Sequence, residues 1–269
     1  MRFVIDAKDE FMPSVPPTGG SSARQSPSTQ VRVRLVEWLG DVFRVWLPES
    51  AGDIWYNHTP GLAHQDFIGT ETAGLVWRWQ GHPSANLETE VTPQGDSLLL
   101  EARVTNRSHA PLENVRASHC LQFSQAPHFA CGDFLRIYIR AGGHWQTLAA
   151  LRPKTDYPHF FRAGLREAGN LGDWETRLAH LHESIAADHP LIVCVSDDGA
   201  RAVGTASEDY RFLFHNHANA HLWCIYSQQS PAPVLAPHET VCFRQKVYFS
   251  DQGLEGCVAA FEADAGEHR

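Results

Sequence analysis

Three histidines lie within seven positions of the stretch FHNHANAHLW, residues 214–223: His215, His217 and His221. On an extended strand His215 and His217 project from the same face, because successive side chains alternate between the two faces. Imidazole ligands favour Zn, Fe, Cu and Ni, so the cluster predicts a divalent-metal site with His221 as a third ligand. The alternatives are acid/base chemistry by His217 and His221, or histidines that only fill a strand and the turn after it.

A fourth histidine lies in VRASHCLQF, residues 115–123, which we expect to form one strand. The apolar face of that strand would carry Val115, Ala117, His119, Leu121 and Phe123. An imidazole among apolar neighbours needs a hydrogen-bond partner, and near neutral pH it can act as a general acid or base. We therefore take His119 as a candidate catalytic residue, with His128 from the following loop as a second. The alternative for His119 is a core histidine with its hydrogen bonds satisfied.

Aromatic side chains supply a third kind of candidate. GLVWRWQG places Trp77 and Trp79 on one face of a strand, and IWYNHTPG adds Trp55. Rigid aromatic rings suit stacking against a sugar, because they offer a large contact area at a small entropy cost. With Tyr226, these residues are the candidate substrate contacts. Inward-facing tryptophans of a β-sandwich core are the alternative.

The stretch RIYIR aligns Arg136, Tyr138 and Arg140 on one face of a strand. Two arginines beside a tyrosine can hold a carboxylate through paired hydrogen bonds, which adds Arg136 and Arg140 to the candidate substrate contacts. A solvated outer face is the alternative explanation.

Composition excludes several classes of function. The formal net charge of -9 argues against nucleic acid and anionic membrane surfaces, since both are bound by clustered Lys and Arg. No apolar run approaches the roughly 20 residues of a membrane span. The chain also lacks a phosphate-binding GxxxxGK[ST] loop, a GxGxxG fingerprint, a GxSxG elbow and an HExxH zinc motif.

The start MRFVIDAKDEF has no secretory pattern. The six cysteines are scattered without a CxxC pair, so we expect reduced thiols and a cytoplasmic protein.

Alternating runs dominate the pattern from Val31 onward and predict an all-β protein, a large antiparallel β-sandwich. VRVRLVEWL and DVFRVWL flank Gly40-Asp41 and predict a hairpin. SLLLEARVTN predicts a strand with Leu98, Leu100, Ala102 and Val104 on one face.

At most one or two short helices are expected, within DWETRLAHLHESIAADH (173–189) and LEGCVAAFEAD (254–264). Residues 1–30 should form an edge strand at Phe3-Val4-Ile5 followed by a Pro/Gly/Ser-rich flexible segment, and residues 31–269 a single domain.

Two stretches carry a resemblance to a known superfamily. EARVTNRSHAPLENVRASHCLQF resembles the central strand pair of galactose-mutarotase-like proteins, and PVLAPHETVCFRQKVYF resembles their closing strands. In the second stretch His238 replaces the glycine of a Leu-x-Pro-Gly-Glu turn. The resemblance covers about residues 85–250 and implies a β-supersandwich, a fold found in sugar epimerases and in domains of polysaccharide lyases and glycoside hydrolases.

The sequence thus favours a carbohydrate-active protein that acts on a sugar or sugar-acid ligand through histidine acid/base chemistry, as an epimerase, lyase or hydrolase. Two alternatives stay open: a non-catalytic carbohydrate-binding module, and a cupin-like metal enzyme that uses the 215–221 cluster. The sequence leaves assembly into a homo-oligomer open.

Overall fold

Two large antiparallel sheets dominate the described part of this protein. The computed structural model describes residues 1–6, 30–48, 50–51, 55–56, 65–70, 74–79, 84–130, 134–165, 185–207, 209–216, 223–229, 232 and 234–267. The first strands are β1 (Phe3–Asp6), β2 (Gln30–Leu35), β3 (Val42–Trp46), β4 (Ser50–Ala51), β5 (Trp55–Tyr56), β6 (Gln65–Thr70), β7 (Gly74–Trp79), β8 (Ala85–Gln94) and β9 (Ser97–Asn106). The others are β10 (Leu121–Gln125), β11 (Ile137–Ala141), β12 (His144–Thr147), β13 (His159–Phe161), β14 (Ile192–Val195), β15 (Ala202–Ala206), β16 (Tyr210–Asn216), β17 (Cys224–Gln229) and β18 (Thr240–Ser250). The helices among these residues are α1 (Leu148–Leu151) and α2 (Gly253–Glu267).

The strand order defines a sandwich. One sheet has seven strands in the order β1-β2-β3-β10-β17-β16-β13, and the other has nine in the order β12-β11-β14-β15-β18-β9-β8-β7-β6. Strands β4 and β5 form a separate two-stranded ribbon. The all-β sandwich expected from the alternating sequence is confirmed.

The main core lies between the two sheets and draws on both. The seven-stranded sheet contributes residues such as Phe43, Val45 and Leu121, and the nine-stranded sheet contributes residues such as Leu100 and Phe249. Phe43 and Phe249 meet edge to face with ring centroids 5.5 Å apart. Because each strand alternates, one face of each sheet fills this core and leaves the opposite face for other contacts.

Several predicted elements are confirmed. Strands β2 and β3 pair as an antiparallel hairpin across Gly40, whose φ of 91° suits a residue without a Cβ. Strand β1 lies at the edge of the seven-stranded sheet. The predicted apolar face of β9, Leu98 to Val104, is fully buried.

The strand predicted for residues 115–123 is shorter than expected, because β10 begins only at Leu121. Val115 and Ala117 pack instead in a second cluster with Leu87 and Phe243, and the carbonyl of Val115 accepts a hydrogen bond from the amide of Ala232. This chain segment therefore covers the end of the nine-stranded sheet before it enters the seven-stranded one. The alternating pattern continues through the change because Val115 and Ala117 are buried in the second cluster and Leu121 in the main core.

Helix α2 confirms the predicted C-terminal helix and packs on the outer face of the nine-stranded sheet. Its Cys257 and Phe261 contact Val193 and Tyr248 in a third apolar cluster. Of the other predicted helix, residues 173–184 lie outside the described residues, and residues 185–189 are not helical. The flexible segment predicted before Val31 also lies almost entirely outside them. Neither described helix has the length and apolar character required to cross a membrane.

Candidate functional site

A row of polar residues crosses the outer face of the seven-stranded sheet. Directly paired residues of antiparallel strands share a face, so the register places one residue of each strand in line. From β2 to β16 this polar row consists of Arg32, Arg44, Gln122, Cys224 and Asn216. On β1 the backbone of Asp6 continues the row. Four polar side chains and one cysteine from distant parts of the sequence thus lie next to one another.

A row of rings lies two residues away on three of these strands, β3, β17 and β16, and continues onto β13. This aromatic row consists of Trp46, Tyr226, Phe214 and His159. The rings of Phe214 and Tyr226 stack at 4.5 Å with an interplanar angle of 28°, and the imidazole of His159 lies 4.7 Å from Phe214. Trp46 and Tyr226 are separated by β10, which puts their backbones about 10 Å apart. The outer face therefore combines a stacking surface with hydrogen-bonding groups.

The polar row is largely buried, although it faces away from the core. Arg44 is only 5% exposed, and its Nε donates to Oε1 of Gln125 at 3.1 Å. The indole Nε1 of Trp46 and the carboxamide Oδ1 of Asn216 are also buried, and within the described part of the chain neither has a hydrogen-bond partner. A buried donor or acceptor without a partner is costly. The described structure thus leaves one donor and one acceptor on this face without a hydrogen bond.

His119 lies inside the sandwich and not on the outer face. It is fully buried, and Oε1 of Gln245 accepts from its backbone N–H at 3.3 Å while Nε2 of Gln245 donates to its carbonyl at 2.8 Å. Its Nδ1 lies 3.3 Å from the carbonyl of Trp46, whereas its Nε2 has no partner in the described structure. Burial lowers the pKa of His119 to about 4, so the imidazole is neutral at pH 7.

His215 also faces the core, which corrects the expected orientation of β16. Regular alternation along YRFLFHN predicts Phe212 and Phe214 in the core and His215 on the opposite face. The register instead aligns His215 with Ile225 and Leu121, both core residues, and places Phe214 on the outer face. The interior accommodates the imidazole because its Nδ1 lies 3.0 Å from the carbonyl of Cys224 and its ring packs against Phe134 at 5.5 Å.

His128 is remote from His119. One residue precedes β10 and the other follows it, and the five residues of β10 span about 15 Å. The Nδ1 of His128 lies 3.2 Å from a carboxylate oxygen of Asp197, and its backbone amide donates to Asp41. The structure therefore does not bring these two candidate catalytic residues together.

The arginines predicted to hold a carboxylate lie on the other sheet. Arg136 donates to the backbone carbonyls of His128 and Ala130. Arg140 pairs with Asp188 at 3.6 Å. Both guanidinium groups thus have protein partners, at a distance from the polar row.

Other candidates fall wholly or partly outside the described residues. His217 and His221 lie outside them, so the predicted metal site with His215 remains a prediction. The side chains of Trp55, Trp77 and Trp79 lie outside them as well, although the backbone of Trp77 pairs with Thr89 and that of Trp79 with Leu87. Across the part of the chain that is described, no group of three His, Cys, Asp or Glu side chains could hold a metal ion. The described cysteines are free thiols.

A concave region of about 570 Å³ lies on the opposite side of the molecule, between α2 and the nine-stranded sheet. Its charged groups pair with one another. Lys246 contacts Asp264 at 2.5 Å, and Arg244 contacts Glu101 at 2.8 Å. This region is a charged surface on which these basic side chains form ion pairs with neighbouring carboxylates.

Of the residues on the outer face, Tyr226 was predicted from the sequence as a substrate contact, and its role stays a prediction. A signal was present in VFRVW, where Arg44 and Trp46 alternate with the apolar Phe43 and Val45. Such alternation shows that polar and aromatic side chains share a face. It does not show which strands lie beside it, because the neighbours β10, β17 and β16 are far along the chain.

Comparisons with known proteins give a fold but no sequence relative. No protein-family model matches the sequence, and a search of curated proteins finds no match. Part of the α-N-acetylgalactosaminidase from Bifidobacterium bifidum has a similar structure, with a TM-score of 0.53 and 12% identity over 91% of this chain and 37% of that one. This chain therefore spans little more than a third of that enzyme.

Two further matches have lower scores. A galactose mutarotase related enzyme from Lactobacillus acidophilus has a TM-score of 0.45 at 9% identity, covering 85% of this chain and 97% of that one. A galactose mutarotase-like protein from Lactobacillus casei has a TM-score of 0.45 at 9% identity, covering 83% and 98%.

Proposed function

We propose that this protein binds a carbohydrate on the outer face of its seven-stranded sheet. The observation that carries the proposal is the pairing of the aromatic row with the polar row on one surface. Sugars have apolar C–H faces that stack on aromatic rings and hydroxyl groups that exchange hydrogen bonds with amides and guanidinium groups. In this proposal Tyr226 and Phe214 support the ring, while Gln122, Asn216 and the indole of Trp46 bond to hydroxyl groups.

The fold agrees with this proposal. The structure with a TM-score of 0.53 is described as an α-N-acetylgalactosaminidase, an enzyme that acts on a sugar. A fold can host unrelated functions. The proposal therefore rests on the residues of the outer face, and the structural similarity is only consistent with it. The ligand class includes sugar acids, because Arg32 and Arg44 lie side by side in the polar row.

Binding is better supported than catalysis by the residues that the structure describes. His119 is neutral, fully buried and hydrogen-bonded through its backbone to Gln245, as expected of a structural residue. If the protein also catalyses a reaction, its acid/base groups are His217, which follows Asn216 directly in the sequence, and His221. Alanine at both positions would then abolish turnover of a bound sugar while leaving its binding intact.

The binding proposal is tested with a Tyr226→Ala variant. Galactose, N-acetylgalactosamine and galacturonic acid serve as probes, and saturation-transfer NMR and calorimetry measure binding. We expect at least one probe to bind the wild type and to bind Tyr226→Ala about five- to tenfold more weakly, since an aromatic contact contributes roughly 1–1.5 kcal/mol.

The matched control is Tyr157→Ala, which removes a tyrosine that is 47% exposed and outside both rows. Binding should be unchanged in this variant. Equal affinity of all three proteins for every bound sugar would place the ligand elsewhere, and the absence of binding to a wider sugar panel would refute the proposal.

A further inference from the structure

Two exposed histidines, His109 and His238, meet at the far end of β9 and β18. His109 lies in the loop after β9, and His238 lies in the loop before β18. Their ring centroids lie 6.1 Å apart, with the rings at 79° to each other. In the part of the chain that is described, neither imidazole makes a hydrogen bond or an ion pair. The pair is thus accessible, and its four ring nitrogens are available to a ligand.

The buried Asn106 fixes the two loops that carry these histidines. Its backbone carbonyl accepts a hydrogen bond from the amide of His238 at 2.9 Å, and its backbone amide donates to the carbonyl of Glu239. Its side chain donates to the carbonyls of Ala110 and Leu235 and accepts from the amide of Ser108. Asn106 therefore fixes the position of the two loops relative to each other. This lowers the entropy cost of bringing the two imidazoles to a common ligand.

His238 also has a left-handed backbone, with φ of 67°. Glycine adopts this conformation without strain, whereas a residue with a Cβ does not. The chain thus carries an imidazole at a turn position where glycine would be easier to place.

We propose that His109 and His238 together bind one first-row divalent transition-metal ion, with water completing its coordination. Neutral imidazole is a good ligand for Zn, Ni and Cu. An ion placed about 2.0–2.1 Å from one nitrogen of each ring puts the two centroids about 5–6 Å apart, close to the observed spacing. This site is separate from the outer face of the seven-stranded sheet and from the 215–221 cluster.

The test is a calorimetric titration of the whole protein with Ni²⁺ at pH 7.5, under reducing conditions. The variants are His109→Ala and His238→Gly, the second of which also suits the left-handed backbone and so preserves the fold. The controls are His128→Ala, which removes a half-buried histidine elsewhere, and the double variant His217→Ala/His221→Ala.

We expect the wild type to bind one equivalent of Ni²⁺ at this site. Each of the two site variants should weaken that binding about tenfold or more, since each removes one of two protein ligands, whereas both controls should leave it unchanged. No binding in the wild type, unchanged binding in His109→Ala and His238→Gly, or loss of binding only in the 217/221 variant would overturn the proposal. A sugar-binding defect would not affect any of these outcomes.

Discussion

The buried imidazole of His119 gives the fold a specific dependence on pH. Burial lowers its pKa from 6.5 to about 4, so between these values the unfolded chain binds a proton that the folded protein does not. This group leaves the free energy of unfolding undiminished above pH 6.5 and lowers it as the pH falls toward 4. The loss from this single group reaches about 3 kcal/mol at the lower end.

Replacing His119 with Gln should therefore flatten the stability profile at acid pH. The amide can still donate to the carbonyl of Trp46 but does not titrate. Urea unfolding at intervals from pH 4 to 7.5 would show a smaller decline than in the wild type. The wild type, measured at the same pH values, is the reference. An unchanged decline in His119→Gln would mean that other groups cause the acid sensitivity.

Individual residues of the site were only partly predictable from the sequence. Tyr226 was among the candidates and lies on the outer face. The histidines stood out by type and spacing, yet His119 and His215 prove to be core residues. Residue type shows that a buried imidazole needs a hydrogen-bond partner, but it does not show which partner. In His119 and His215, backbone carbonyls satisfy the Nδ1 atoms.

At the scale of elements, the contact between α2 and β15 depends on one glycine. A Cβ added at Gly204 would lie 2.8 Å from Sγ of Cys257 and 2.9 Å from Cδ1 of Leu191. Both distances are shorter than a van der Waals contact. The absent side chain of Gly204 therefore allows the helix to lie close against the sheet.

Gly204→Ala should destabilise the protein by about 1–3 kcal/mol, because it overpacks this contact. In a Cys257→Ala background the same change should cost less, since the nearest atom is gone, so the two substitutions should not be additive. Chemical denaturation of the wild type, both single variants and the double variant measures the difference. Additive costs would show that Cys257 does not limit the approach of the helix.

Strands and helices with a periodic sequence pattern were easier to predict than the individual residues of the site. The hairpin at Gly40, the strand β9 and the C-terminal helix each have a periodic pattern bounded by turn residues. The segment 115–120 has the alternation of a strand because Val115 and Ala117 are buried in the second cluster, yet β10 begins only at Leu121. The short helix α1 gave no periodic signal, since it has only four residues.

For the whole molecule, polar contacts join the two sheets at both ends of the sandwich. At one end Asp41, just before β3, accepts from Arg201, just before β15, at 2.9 Å, and the guanidinium also lies over the ring of Trp38 at 5.6 Å. At the other end Gln245 of β18 bonds to the backbone of His119. These contacts fix the relative position of the sheets, which apolar packing alone specifies less sharply.

Asp41→Ala should reduce the free energy of unfolding by about 3–5 kcal/mol, because it leaves the Arg201 charge without its partner in a largely buried position. Arg201→Met in the same chain should recover part of that loss. Urea denaturation of the two single variants and the double variant yields the coupling energy. A coupling near zero would indicate that the ion pair does not hold the sheets together.

The polar row has a consequence for how this protein can be assayed. Its side chains come from five strands spread over nearly two hundred positions, so the row exists only after contacts of high sequence separation have formed, a class of contact associated with slow folding. A molecule that fits the row must bind the native state and not the unfolded ensemble. Such a molecule will raise the melting temperature by mass action. Thermal-shift screening can thus search for the natural ligand before any reaction is known.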